Sequence, residues 1–230
     1  MKRTGQGADG QGLRTGQRGE ASGMRDALSV GRESGEARGG ACANSVALCR
    51  GDINPDVCYI CLNNSIVRLQ QLCPTQKGAR GYYEYCLLRY SNENILGNTP
   101  IDFYVYLANP LNATNIDLFN HALWPLLSKL IDAAARDGDQ QKFASGNTTV
   151  PDFQRIYGLV QCTPDLMEQE CRDCLDDLAN HIIRWFNGRI GGRIFVPICS
   201  IRYETRRFLM GVLWPTHHHH HQGHLLIVNV

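Results

Sequence analysis

Much that would assign a function is missing from this 230-residue chain. No apolar run approaches the roughly 18 residues needed to cross a bilayer, and the terminal Leu225-Leu226-Ile227-Val228 is far too short for a membrane span. Charge of either sign is in no excess: the formal balance is +1 and the pI is near 7.6. Without a basic field there is nothing to hold a polyanion, so no nucleic acid is expected as a partner. No glycine-rich phosphate loop and no kinase signature occurs. Outside the C-terminal tail the only histidines are His121 and His181, each inside a helical pattern and without a companion motif. The expectation is therefore a protein that is not an enzyme and takes no cofactor. A secretory leader is also missing from the first forty residues. Met1–Gly40 is Gly- and Arg-rich, holds 11 of the 23 glycines, and has little to bury, which reads as disorder.

What the chain does have is cysteine. Cys49, Cys58, Cys61 and Cys86 recur as Cys162, Cys171, Cys174 and Cys199, each 113 residues later. Gly78 and Gly191, Arg80 and Arg193, Arg89 and Arg202, and Tyr90 and Tyr203 keep the same offset. Four cysteines in constant register mark an internal duplication. A unit of this length has the usual size of a domain, so two domains are expected. The correspondence fades upstream of about Val46, which leaves the first copy without its front half.

Thiols at regular spacing in small domains point to staples formed in an oxidising compartment. Zinc is the rival, because Cys58-x-x-Cys61 and Cys171-x-x-Cys174 each look like half of a knuckle. Neither repeat offers a second Cys-x-x-Cys to complete a four-thiolate site, so no metal site is expected. Sequons at Asn63, Asn112 and Asn147 agree with glycosylation in a secreted protein.

The second repeat reads as two helices on an antiparallel sheet. From Ile116 to Ala135 apolar residues recur at helical spacing, with Pro125 marking a kink or a restart. A polar loop carrying Asn147 then leads to a strand over Phe153–Val160. A second helix spans Leu166–Phe186, with Cys171 and Cys174 on one face. Ile194–Arg202 reads as one strand holding Cys199, and Phe208–Trp214 as a further candidate. The run His217–His221 reads as part of a flexible tail with no assigned function.

The string Cys162-x8-Cys171-x2-Cys174, preceded by Tyr157-Gly158-Leu159-Val160-Gln161 and followed by Gly191-Gly192-Arg193 and Cys199-x2-Arg202-Tyr203-Glu204, resembles the ginkbilobin-homologous, plant stress-antifungal cysteine-rich domain. The first repeat is similar through Leu48-Cys49-Arg50-Gly51-Asp52, Cys58-x2-Cys61, Cys73-Pro74, Lys77-Gly78-Ala79 and Cys86-Leu87-Leu88-Arg89-Tyr90-Ser91. Its tandem occurrence is typical of cysteine-rich repeat secretory proteins, plasmodesmata-located proteins and receptor-like kinase ectodomains. The resemblance implies an α+β fold, an antiparallel sheet with two helices packed on it, disulfide-stapled and repeated, the first copy truncated. It implies bridges Cys49–Cys58, Cys61–Cys86, Cys162–Cys171 and Cys174–Cys199. The family's third bridge falls at Ala108 and Phe186 in the second repeat, so both partners are absent there. In the first repeat it would involve Cys73, and whether Cys73 pairs with Cys42 is left open.

The expected organisation is then a disordered segment or start-site artefact over 1–43, a truncated first domain over 44–98, a complete second domain over 99–212 and a tail over 213–230. The resemblance also implies a mannose site at Asn109, Arg193 and Glu204. A guanidinium fork, a carboxylate acceptor and an amide together match a vicinal diol. In the first repeat Arg80 survives but Ser91 stands where the Glu would be. A secreted, apoplastic defence or stress protein follows, with a mannose-containing glycan as partner, or else a protein-interaction module that meets a cell-surface protein.

Overall fold

The computed structural model describes residues 28–29, 44–97, 99–136, 141–150, 155–210 and 226–229. In chain order the elements are β1 (Leu28–Ser29), β2 (Asn44–Cys49), α1 (Pro55–Leu72), β3 (Gly78–Tyr82), β4 (Cys86–Ser91), β5 (Val105–Ala108), α2 (Ile116–Ala135), β6 (Phe143–Thr149), β7 (Arg155–Cys162), α3 (Glu168–Trp185), β8 (Gly191–Phe195), β9 (Cys199–Glu204) and β10 (Leu226–Asn229). Two antiparallel sheets result, in strand orders β1-β2-β4-β3-β10 and β5-β8-β9-β7-β6. The duplication survives in three dimensions, since α1, β3 and β4 start and stop 113 residues before α3, β8 and β9.

Two of the helices begin at asparagine caps. Asn54 accepts a hydrogen bond from the Val57 amide at 2.9 Å, with Pro55 in the first turn where its missing N–H costs nothing. Asn115 does the same for α2, accepting from the Leu118 amide at 3.1 Å. Pro125 does not restart α2: the helix runs through it from Ile116 to Ala135. Its apolar stripe buries Phe119, Leu123, Leu126, Leu127, Leu130 and Ile131 against β6, β7 and α3.

Three strand expectations change. Ile194–Arg202 is a hairpin rather than one strand, because Val196 and Cys199 close a tight turn around Pro197 through a Val196 N–H to Cys199 carbonyl bond of 3.0 Å. The segment read as a polar loop holds β6, which pairs with β7 from Phe143↔Gln161 to Thr149↔Arg155. As an edge strand it buries little, so its polar Ser, Asn and Thr give no alternating signal. The four-residue β5 was too short to read and forms the other edge. The Phe153 start lies outside the described residues and β7 runs from Arg155; Phe208–Met210 are not strand, and 211–214 also lie outside.

Bridges form at Cys49–Cys58, Cys61–Cys86, Cys162–Cys171 and Cys174–Cys199, the last two tying the N-terminal half of α3 to β7 and β9. Cys73 is buried beside Leu69, Ala79 and Leu88, whereas Cys42 lies outside the described residues. Helices cover one face of each sheet. The other faces turn towards one another, so Tyr82 packs on its own counterpart Phe195 with ring centroids 5.1 Å apart, joined by Leu87, Phe103 and Val105.

Candidate functional site: the junction between the two modules

On β8 and β9, side chains alternate between core and junction. Ile194, Ile201 and Tyr203 are buried under the helices, which sends Arg193, Arg202 and Glu204 to the opposite face. The register sets Arg193 opposite Arg202 and Gly191 opposite Glu204. Two guanidiniums side by side need an anion, and the first module supplies it from the β3–β4 turn.

Glu84 is that anion. Its Oε1 accepts from Arg202 at 2.5 Å and from Arg50 at 3.1 Å, and its Oε2 accepts from Arg193 at 2.8 Å. Arg193 donates its second arm to the Tyr83 carbonyl at 3.0 Å and lies over the Phe195 ring at 4.2 Å. Arg50, only 6% exposed, is held further by Asp52 through Nε at 2.5 Å and Nη2 at 3.1 Å. The segment after β9 closes the arrangement: the Phe208 carbonyl accepts from Arg50 at 3.2 Å and the Met210 amide donates to Asp52 at 2.8 Å. Burial pushes the Glu84 carboxyl up, but Arg193, Arg202 and Arg50 outweigh it and hold it below the usual carboxylate range. Burial pulls the Arg193 guanidinium down to about 10, so it stays charged at neutral pH.

The first module uses the equivalent arginine in the same way. Arg80 makes a two-pronged pair with Asp102, both contacts 2.9 Å, in the stretch leading into β5. One further backbone tie crosses the junction, from the Gln161 side chain to the Cys49 carbonyl at 3.0 Å.

The three expected sugar ligands are therefore only partly gathered. Asn109 and Glu204 are neighbours, with the Asn109 side chain favouring the charged Glu204 carboxylate; the Asn109 main-chain amide donates to the Gly191 carbonyl at 2.9 Å, and its Oδ1 accepts from the Leu111 amide at 3.0 Å. The Glu204 carboxylate lies over Gly191, where a Cβ would come within 2.0 Å of it, so a larger residue there would displace the carboxylate from this position. Burial raises the Glu204 carboxyl above its usual range. Arg193 faces the same side but its fork is taken by Glu84 and Tyr83. The crevice lined by Arg50, Glu84, Arg193 and Arg202 holds about 40 Å³. That is room for a few waters at ~10–15 Å³ each and far below the ~300 Å³ of small-molecule sites. Sequence reasoning missed Glu84 because nothing local distinguishes a turn glutamate in Tyr83-Glu84-Tyr85 from a solvated one.

Of the sequons, Asn63 is exposed on α1, Asn112 is exposed and bridged to Arg189, and Asn147 is exposed on β6. Among the described residues no cluster of His, Cys, Asp or Glu is arranged to hold a metal, and no helix is long and apolar enough to cross a membrane. His181 stacks on Tyr104 with centroids 4.6 Å apart, and its Nδ1 bonds the Tyr106 hydroxyl at 2.5 Å.

Two antiparallel α+β modules, each with two disulfides and joined through their helix-free faces, define a tandem cysteine-rich ectodomain-type protein. The profile described as salt stress response/antifungal matches residues 24–93 and 108–206, and the chain belongs to that family. Cysteine-rich repeat secretory protein 38 of Arabidopsis thaliana is 35% identical over 166 residues, 72% of this chain and 66% of that protein. The antimicrobial ginkbilobin-2-like protein of Castanea crenata is 34% identical over 167 residues, 73% of this chain and 68% of that one. Cysteine-rich receptor-like protein kinase 25 of Arabidopsis thaliana is 40% identical over 166 residues, 71% of this chain, which spans only 24% of the kinase's length. The tandem DUF26 ectodomain of the Arabidopsis thaliana cysteine-rich receptor-like protein PDLP8 shares the fold, with a TM-score of 0.65 at 19% identity over 78% of this chain and 80% of that one.

Proposed function

We propose that this chain is a non-enzymatic extracellular recognition protein of plant defence or stress response, and that its ligand is a cell-surface protein. The observation carrying this reading is the use of Arg193. In a mannose site it would present a free guanidinium fork; here Glu84 and the Tyr83 carbonyl occupy it, and the matching Arg80 is occupied by Asp102. Both arginines weld the modules into one body, and a rigid tandem body presents a broad surface suited to a protein partner. Glycosylation at Asn63, Asn112 and Asn147 fits the same compartment.

A mannose-type glycan is the second reading, favoured by the Asn109–Glu204 pair, which sits at the margin of the junction with Glu204 half-buried. On this reading a sugar hydroxyl would have to displace Glu84 from Arg193. Titration of mannose into the wild type, Glu84→Ala and Arg193→Ala proteins separates the two. The protein-ligand reading expects no binding to the wild type. Saturable binding to the wild type that Arg193→Ala abolishes would overturn it in favour of the glycan.

A further inference from the structure

The two sheets match strand for strand, and the match exposes a substitution. In the second module β5 forms the outer edge, pairing Val105↔Phe195, Tyr106↔Ile194, Leu107↔Arg193 and Ala108↔Gly192. Shifting β8 back by the repeat offset gives Tyr82, Gly81, Arg80 and Ala79 as the positions a first-module β5 would face. No segment preceding β2 takes that place among the described residues: β1 lies on the opposite edge, at Leu28↔Leu48 and Ser29↔Ala47, the register of β6 at Phe143 and Ala144. The place is filled by the other end of the chain. Residues Leu226, Ile227, Val228 and Asn229 pair with Tyr82, Gly81, Arg80 and Ala79, in the same antiparallel sense and at the same four positions as β5.

We propose that the outer edge of β3 is a strand-docking site and that the segment Leu226–Asn229 is its occupant, standing where β5 stands in the second module. Two independent features lead to it. An uncovered β3 would leave a row of main-chain donors and acceptors unpaired, so the edge demands a strand. And the chain after β9 is already directed to the first module, because the Phe208 carbonyl and the Met210 amide are tied to Arg50 and Asp52. The segment Leu-Leu-Ile-Val-Asn-Val is apolar and β-branched, as an edge strand of this length requires. The β3 edge of the first module is thus closed by a strand that follows the second module in sequence.

Amide hydrogen exchange on the full chain tests this. Deleting residues 226–230 is expected to lower protection at the amides of Ala79–Tyr82 that face away from β4 by at least tenfold, while β8 keeps its protection. A Val228→Pro variant of the full chain, which leaves its length intact, is expected to do the same. Adding a synthetic peptide of sequence LLIVNV, or one spanning Phe103–Asn109 from β5, is expected to restore protection at Ala79–Tyr82 in the deleted protein. Unchanged protection there in both variants would overturn the proposal. So would restoration by a scrambled peptide, which would show an unspecific apolar contact and not a registered strand.

Discussion

The two modules share their bridges, their element boundaries and their sheet pairing, yet they are stabilised differently. The second has one continuous core, with Leu123, Leu127 and Ile131 of α2 meeting Leu175, Leu178 and Ile182 of α3 over Ile156, Ile194 and Ile201. The first has two small clusters, one around Leu69, Cys73, Ala79 and Leu88, the other made of Cys49, Cys58 and Cys86. One position shows the difference plainly. Leu178 is fully buried in α3; its counterpart in α1 is Ser65, equally buried, whose hydroxyl bonds the Cys61 carbonyl at 2.7 Å. With no counterpart of α2 packed on it among the described residues, α1 also leaves Tyr59, Ile60, Ile66 and Val67 exposed. A module that buries so little apolar surface relies on its disulfides, each worth about 3 kcal/mol in the loop-entropy account, and on its neighbour.

The dependence on the neighbour is the part easiest to break. Glu84→Ala leaves Arg193 and Arg202 without their carboxylate and Arg50 with Asp52 alone, and is expected to cost about 3 kcal/mol or more. The loss should fall on the first module, so calorimetry should resolve two transitions where the wild type shows one. A single unshifted transition would mean that the modules do not need the clamp.

Next in size is the contrast between equivalent core positions. Leu178→Ala is expected to cost about 3 kcal/mol through the cavity it leaves. Ser65→Ala, which removes one buried hydrogen bond and no volume of consequence, should cost about 1 kcal/mol. Equal losses in denaturant titrations would show that the two cores are more alike than their packing indicates.

Smaller still is the Arg80–Asp102 pair, half open to solvent on the Asp102 side. Arg80→Ala should lower stability by no more than about 1 kcal/mol, and less at high salt.

The subtlest separation is by pH, because the carboxylates of the two modules are shifted in opposite senses. Glu84 is held below its ordinary range, so its contribution is complete above the unfolded value and is lost as pH falls through the lower folded value. Glu204 is raised by burial, so in its case stability falls as pH rises between the unfolded and the folded value. Above that window Glu204→Gln should be neutral or stabilising, while Glu84→Gln should be destabilising. Thermal melts of both variants across the acid range check the signs.

Local information was legible. Helical periodicity placed α2 at its observed bounds, and α3 differed only at its ends, because apolar spacing acts within one or two turns. The constant offset made the duplication visible, and the family resemblance gave the disulfide partners. Edge strands were not legible: β6 is polar, β5 is four residues long, and neither has a side that must be hydrophobic throughout. The Ile194–Arg202 hairpin was hidden because strand propensity runs unbroken on both sides of Pro197.

The same division holds at the junction. Sequence alone determined that Arg193 and Glu204 share a β-rich region, that Arg80 repeats Arg193, and that four pairs of cysteines recur in register, since each depends on neighbours close in the chain or on the repeat itself. Only tertiary structure decided what those arginines do. Glu84 lies 109 residues from Arg193 and 118 from Arg202, and their meeting depends on two sheets docking by their helix-free faces. It decided likewise that the C-terminal strand borders β3, because an unpaired sheet edge is satisfied by whichever strand the fold brings to it, near or far in sequence.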